Sequence, residues 1–265
     1  MQYFQEEEYE KALPIFEELF NNNPSSTYLY EYYLNTLVNL QQYDDAENML
    51  KKQVRKRTNS QRYQVDLGHI YEIQDEKDKA EETYQEVIEN LPSRADHIQI
   101  VANTFKNHGK TNYAIKAYQK GREMLKNPNQ FSSQLAELYK QDARYEPMFK
   151  EYLTWLEQDK DAQDRIQKEL QELVMKPGPY GTFKNLLLSE IQDNPDRAKY
   201  IELLSWLFIQ NKDFHSAFMQ LRALDQRLEK DLGKRLLNLA DVCIKNQAYG
   251  IAENLYQYIV NKGEA

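Results

Sequence analysis

The chain has 265 residues, 41% of them hydrophobic, a formal net charge of −8 and a mean hydropathy of −0.85. The negative charge disfavours general affinity for nucleic acid. A single cysteine excludes an internal disulfide and a zinc site built on several thiolates, and no run of about eighteen apolar residues is available to insert into a membrane.

Apolar residues recur in paired helical stripes along the whole chain. Residues 1–26 carry Tyr3 late on a first helix, then Ala12, Phe16 and Leu19 on a second, closed by Pro24. Residues 27–60 repeat the pattern with Tyr33, Leu34 and Leu37, then Ala46 and Leu50. Residues 61–94 are the fullest version. Leu67, Gly68 and Tyr71 form one stripe, Asp75 to Asp78 can turn, and Ala80, Tyr84, Val87, Ile88 and Leu91 form a second stripe that Pro92 ends. Small residues at Gly68 and Ala80 let the two backbones approach closely. Residues 95–128 follow with Val101, Ala102, Phe105, Ala114 and Tyr118, with Gly109 in the turn. Residues 129–162 follow with Leu135, Ala136, Tyr139, Met148, Tyr152 and Trp155.

After one inserted residue the register resumes in 164–197 (Leu170, Val174, Phe183, Leu187, Pro195) and 198–231 (Leu204, Phe208, Ala217, Leu221, Leu224). After a second insertion it resumes in 233–265 (Leu239, Ala240, Cys243, Ala252, Tyr256, Ile259). The interval of thirty-four residues, with Leu67, Gly68, Tyr71, Ala80, Tyr84 and Pro92 in their places, resembles the tetratricopeptide-repeat family. The resemblance implies an all-α fold, a right-handed α-solenoid (superhelix) of antiparallel helix-turn-helix repeats forming one array over 1–265. The first and last repeats are incomplete, so the chain is expected to be a piece of a longer protein.

Four stretches depart from the plain pattern. Residues 1–50 hold ten acidic residues against a single Lys11. Glu6 to Glu8 are expected in a turn and at the start of a second helix, where acids complement the helix dipole. The sign reverses over 51–62, where Lys51, Lys52, Arg55, Lys56, Arg57 and Arg62 stand with no acid among them. This run reads either as a solvated basic helix end or as a docking patch for an acidic partner segment. Of the tyrosines, Tyr30 and Tyr33 fall on the packing stripe. Tyr28 and Tyr32 project to a flank, either as a partner surface or packed against the preceding repeat. The run Lys176 to Thr182 (K-P-G-P-Y-G-T) falls where a short inter-helix turn belongs, and is expected to lengthen that turn and shorten the following helix. The helix before it, Arg165 to Val174, is the least typical first helix.

No cofactor or metal is called for. The four histidines, His69, His97, His108 and His215, make no i, i+4 pair. No H-E-x-x-H, calcium loop, glycine-rich phosphate loop or G-x-S-x-G elbow is present. Cys243, at a core-facing position, reads as a small buried hydrophobe. The expectation is a non-catalytic scaffold or adaptor for a protein or peptide partner.

In arrays of the family this chain resembles, first helices line a concave groove. The repeat position two residues after Leu67 places Asn35, His69, Asn103, Glu137 and Glu172 there. Asn35, His69 and Asn103 make a polar ladder with both donors and acceptors. Neighbouring groove positions are Tyr28, Glu31, Tyr32, Arg62, Asp66, Gln99, Lys106 and Trp206. Chaperone-binding members of the family clamp a carboxylate with lysine, arginine and asparagine. Here Glu31 replaces a lysine, His69 an asparagine, and Gln99 and Asn103 the two cations, so that role is disfavoured. Self-association as a homo-oligomer and a regulatory region of a larger enzyme are the alternatives. The Asn-, Gln- and Tyr-rich repeats are similar in style to cell-envelope repeat proteins of Bacteroidota, which suggests the periplasm, with the cytoplasm as the alternative.

Overall fold

A computed structural model describes residues 1–228 and 233–263. Among them the regular structure is helical, in two compact units, Met1–Pro128 and Asn129–Ala265. The first unit holds α1 (Gln2–Gln5), α2 (Tyr9–Asn22), α3 (Thr27–Asn39), α4 (Tyr43–Lys56), α5 (Gln61–Ile73), α6 (Lys77–Glu89), α7 (Ala95–Asn107) and α8 (Thr111–Leu125). The second holds α9 (Ser132–Gln141), α10 (Tyr145–Gln158), α11 (Ala162–Leu170), a 3₁₀ turn (Leu173–Met175), α12 (Pro177–Asp193), α13 (Ala198–Gln210), α14 (Phe214–Arg227), α15 (Lys234–Lys245) and α16 (Tyr249–Gly263). The expected repeat end at residue 231 and the last two residues of the final repeat lie outside the described residues.

The stripes are the core. Leu67, Gly68, Tyr71, Ala80, Tyr84, Val87 and Leu91 are all buried, as are their counterparts Val101, Ala102, Phe105, Ala114 and Tyr118. The same holds in the second unit for Leu135, Met148, Phe183, Leu187, Leu204, Leu239 and Cys243. Tyr3, Leu19 and Tyr256 fall in the pattern but are exposed (41%, 44% and 38%).

Most inter-helix turns are built alike. Glu7, Gln41, Asp75, Gly109, Ala143, Lys212 and Gln247 stand at one repeat position, each with φ between 54° and 71°. The next residue's N–H reaches back across the turn to the last stripe residue of the first helix: Gln42 to Leu37 (2.9 Å), Glu76 to Tyr71 (2.8 Å), Lys110 to Phe105 (2.8 Å) and Arg144 to Tyr139 (2.9 Å). This is the left-handed helix ending that satisfies an otherwise unpaired carbonyl.

The turn expected at Lys176 to Thr182 is not a turn. Lys176 is the extended residue before α12. Pro177 is its first residue, and the remaining five continue the helix, which at 17 residues is the longest among the described residues. Proline suits the first turn because it supplies the helical φ and its missing N–H would be unpaired there anyway. The break falls earlier instead: α11 stops after nine residues and buried Val174 lies in the 3₁₀ turn, not in one helix with Leu170.

Candidate functional site

In the first unit α3, α5 and α7 border a cleft of about 360 Å³. On α5, Arg62, Asp66 and His69 stand at i, i+4 and i+7, one face of the helix. Asp66 is buried (5% exposed). It accepts a short hydrogen bond from the Tyr30 hydroxyl of α3, and its other oxygen lies 2.6 Å from His108 Nε2, just past the end of α7. A carboxylate only accepts, so Nε2 of His108 carries the proton. One carboxylate thus ties together three successive hairpins. Burial, reinforced by Asp66, pushes the Tyr30 phenol well above its ordinary pKa.

The His69 ring stacks on the His108 ring with 4.0 Å between centroids. Burial, then the neighbouring His108, holds the His69 pKa below its ordinary value. Its Nδ1 makes no hydrogen bond and lies 3.7 Å from Glu72. Glu72 forms a close ion pair with Lys110, which outweighs burial and lowers the carboxyl pKa. At the other end of the cleft Arg62 lies over the Tyr30 ring, 5.1 Å from its centroid, and donates to Glu31 (2.9 Å). The Thr104 hydroxyl donates to the Ile100 carbonyl at 2.8 Å. The cleft offers hydrogen-bonding walls.

Of the groove residues expected from the repeat position, Glu31, Asn35, Arg62, Asp66 and His69 come together in this cleft. Asp66 is a buried tie rather than an open wall residue. Asn103 is exposed on α7 outside the cleft and accepts from the Tyr118 hydroxyl at 3.3 Å. Gln99 is exposed and Lys106 half-buried on the same helix. Tyr28 is exposed and donates to Met1 Sδ at 3.0 Å. Tyr32 stacks on Phe16 (5.2 Å, 17°) and meets Phe4 edge-on (4.8 Å), so it packs against the preceding hairpin. Trp206 is half-buried on α13, in the other unit. The sequence reading missed Tyr30 and His108 as partners of the site. His108 sits in a turn, outside the first-helix positions, and the one hint was a histidine beside the turn glycine Gly109.

Among the described residues no group of three or more metal-binding side chains converges, and no helix is long and apolar enough to cross a membrane.

Tandem helix hairpins joined by repeated left-handed turns define a helical-repeat protein of the α-solenoid class. Residues 3–67 match the model of the tetratricopeptide repeat, a fold typical of protein-interaction scaffolds. The chain is similar to a tetratricopeptide repeat protein from Parabacteroides merdae (14% identity over 93% of this chain and 92% of that one, TM-score 0.33). It is also similar to the C-terminal part of a repeat-containing protein from Cytophaga hutchinsonii (15% identity, 98% and 92%, TM-score 0.34). A third similar structure is YrrB, described as having an unusual peptide-binding site (14% identity, 78% and 97%, TM-score 0.30). No curated protein matches the chain.

Proposed function

We propose that the chain is a non-catalytic scaffold that receives a peptide or partner segment on the α3–α5–α7 face of its first unit. The observation that carries this reading is the cleft of about 360 Å³, in which Asn35, His69 and Asn107 present polar side chains beside the Glu31–Arg62 pair. A mixed set of donors and acceptors suits a peptide backbone, which offers both. The unbroken repeat register across residue 128 supports reading 1–265 as one array.

The test is photo-crosslinking in the source cell with the full chain, from probes replacing Val38 and Asn107, which line the cleft, repeated on an Asn35→Ala/His69→Ala background. A partner crosslinked from these positions, and lost in the variant while helicity by circular dichroism is unchanged, supports the groove. Crosslinks of equal yield in the variant overturn it.

A further inference from the structure

A second cleft, of about 560 Å³, lies between the second helices α2 and α4 of the first unit, with Phe20, Tyr33, Leu37 and Met49 among its lining. The repeat itself explains why it is open. In the α6–α8 pair, Tyr113 of α8 stacks on Phe105 (5.2 Å, 20°) and meets Tyr84 at 5.2 Å, and its hydroxyl bonds Glu81 of α6. Two repeats earlier the same position is Asp45, too short to fill the space over Leu37, the counterpart of Phe105.

The charges of this cleft are unevenly satisfied. Glu17 and Asp45 face the Tyr33 hydroxyl, whose pKa burial and these two carboxylates push up to about 12. Asp45 also lies in the first turn of α4, where the helix dipole stabilises an acid. Of the basic run on the other side, Lys51 pairs with Glu47, Arg57 bonds Gln53 and the Pro24 carbonyl, and Arg62 pairs with Glu31. Lys52 and Lys56 line the cleft one helical turn apart and make no ion pair among the described residues. Asn21 and Asn48 on the two walls offer amide donors and acceptors.

We propose that this cleft is a separate docking site for an acidic peptide segment of a partner protein. A bulky apolar side chain of the segment lodges between α2 and α4, and its carboxylates reach Lys52 and Lys56. Unpaired cations beside an unfilled apolar gap complement that chemistry, and the site does not depend on the α3–α5–α7 groove.

The test is selection of random dodecapeptides displayed on phage against the immobilised full chain, with the selected peptides then titrated onto variants. The expected peptides place Asp or Glu next to Leu, Phe or Trp. Their affinity falls roughly tenfold or more in Lys52→Glu/Lys56→Glu and is lost in Asp45→Tyr, which fills the gap. It is unchanged in Asn35→Ala/His69→Ala, and circular dichroism is unchanged in all three. Selection of basic peptides, of peptides indifferent to Lys52, Lys56 and Asp45, or of none overturns the proposal. Peptides sensitive only to Asn35 and His69 also overturn it, while supporting the groove.

Discussion

The imidazoles of His69 and His108 lie face to face, 4.0 Å between centroids and 27° between planes, although they belong to different hairpins. Burial, then the neighbouring His108, holds the His69 pKa below its ordinary value, so the fold favours a neutral His69 ring. The groups facing it are Asp66 and Glu72 from α5, and His108 and Lys110 from the α7–α8 turn. Its folded pKa lies below the ordinary 6.5, so near and below that pH the unfolded chain binds more protons than the folded one. Stability is therefore present above 6.5 and lost as pH falls through the folded pKa. The urea midpoint of the wild type should drop between pH 7 and pH 5, and His69→Gln should flatten that drop. Glu72, with a pKa held below 4.5, adds its own loss only at lower pH. An equal slope in His69→Gln would refute the assignment.

Asp66 has two partners, the buried Tyr30 and the half-buried His108, and removing either side of the tie has unequal consequences. Tyr30→Phe deletes one donor but leaves Asp66 bonded to His108, and should cost about 1 kcal/mol. Asp66→Ala leaves the fully buried Tyr30 hydroxyl and the His108 ring without their acceptor, and should cost about 3 kcal/mol. Chemical denaturation of the two variants at pH 7 gives the comparison. A larger loss for Tyr30→Phe would mean that Asp66 does not hold the three hairpins together.

The fold was legible because buried positions recur at a fixed interval, so each helix pair corroborates the next. Periodicity assigns a face but not what covers it, which is why Tyr3, Leu19 and Tyr256 fit the stripe yet stay exposed. Lys176 to Thr182 misleads because proline and glycine mark helix starts as well as turns, and only the position of the first helical residue decides. The site was half legible. Glu31, Asn35, Arg62 and His69 follow from repeat position, but the role of Asp66 depends on Tyr30 and His108, 36 and 42 residues away in sequence. Neither distance is a multiple of the repeat, so no pattern points to those pairs.

Gly68 is needed for space. A Cβ there would stand 2.8 Å from Tyr84 Cδ1 and closer still to Cε1, where α5 and α6 approach. Gly68→Ala should cost about 1–3 kcal/mol through overpacking. Tyr84→Leu removes the clashing ring, so Gly68→Ala should cost much less in that background. A double-mutant cycle read by urea denaturation checks this, and additive losses would place the constraint elsewhere.

Gly109 and Gly181 both have empty space where a Cβ would stand, yet the same substitution should act oppositely on them. Gly109 has φ +71°, so an alanine there meets its own backbone, and Gly109→Ala should cost about 1 kcal/mol. Ala143 holds the equivalent turn position at φ 54°, so Ala143→Gly should gain a similar amount. Gly181 is the fifth residue of α12. There glycine only adds freedom to the unfolded chain, and Gly181→Ala should stabilise by about 0.5–1 kcal/mol. Thermal unfolding of the three variants separates the cases. A loss at Gly181 like that at Gly109 would mean that Lys176 to Thr182 is a turn after all, and that α12 begins later.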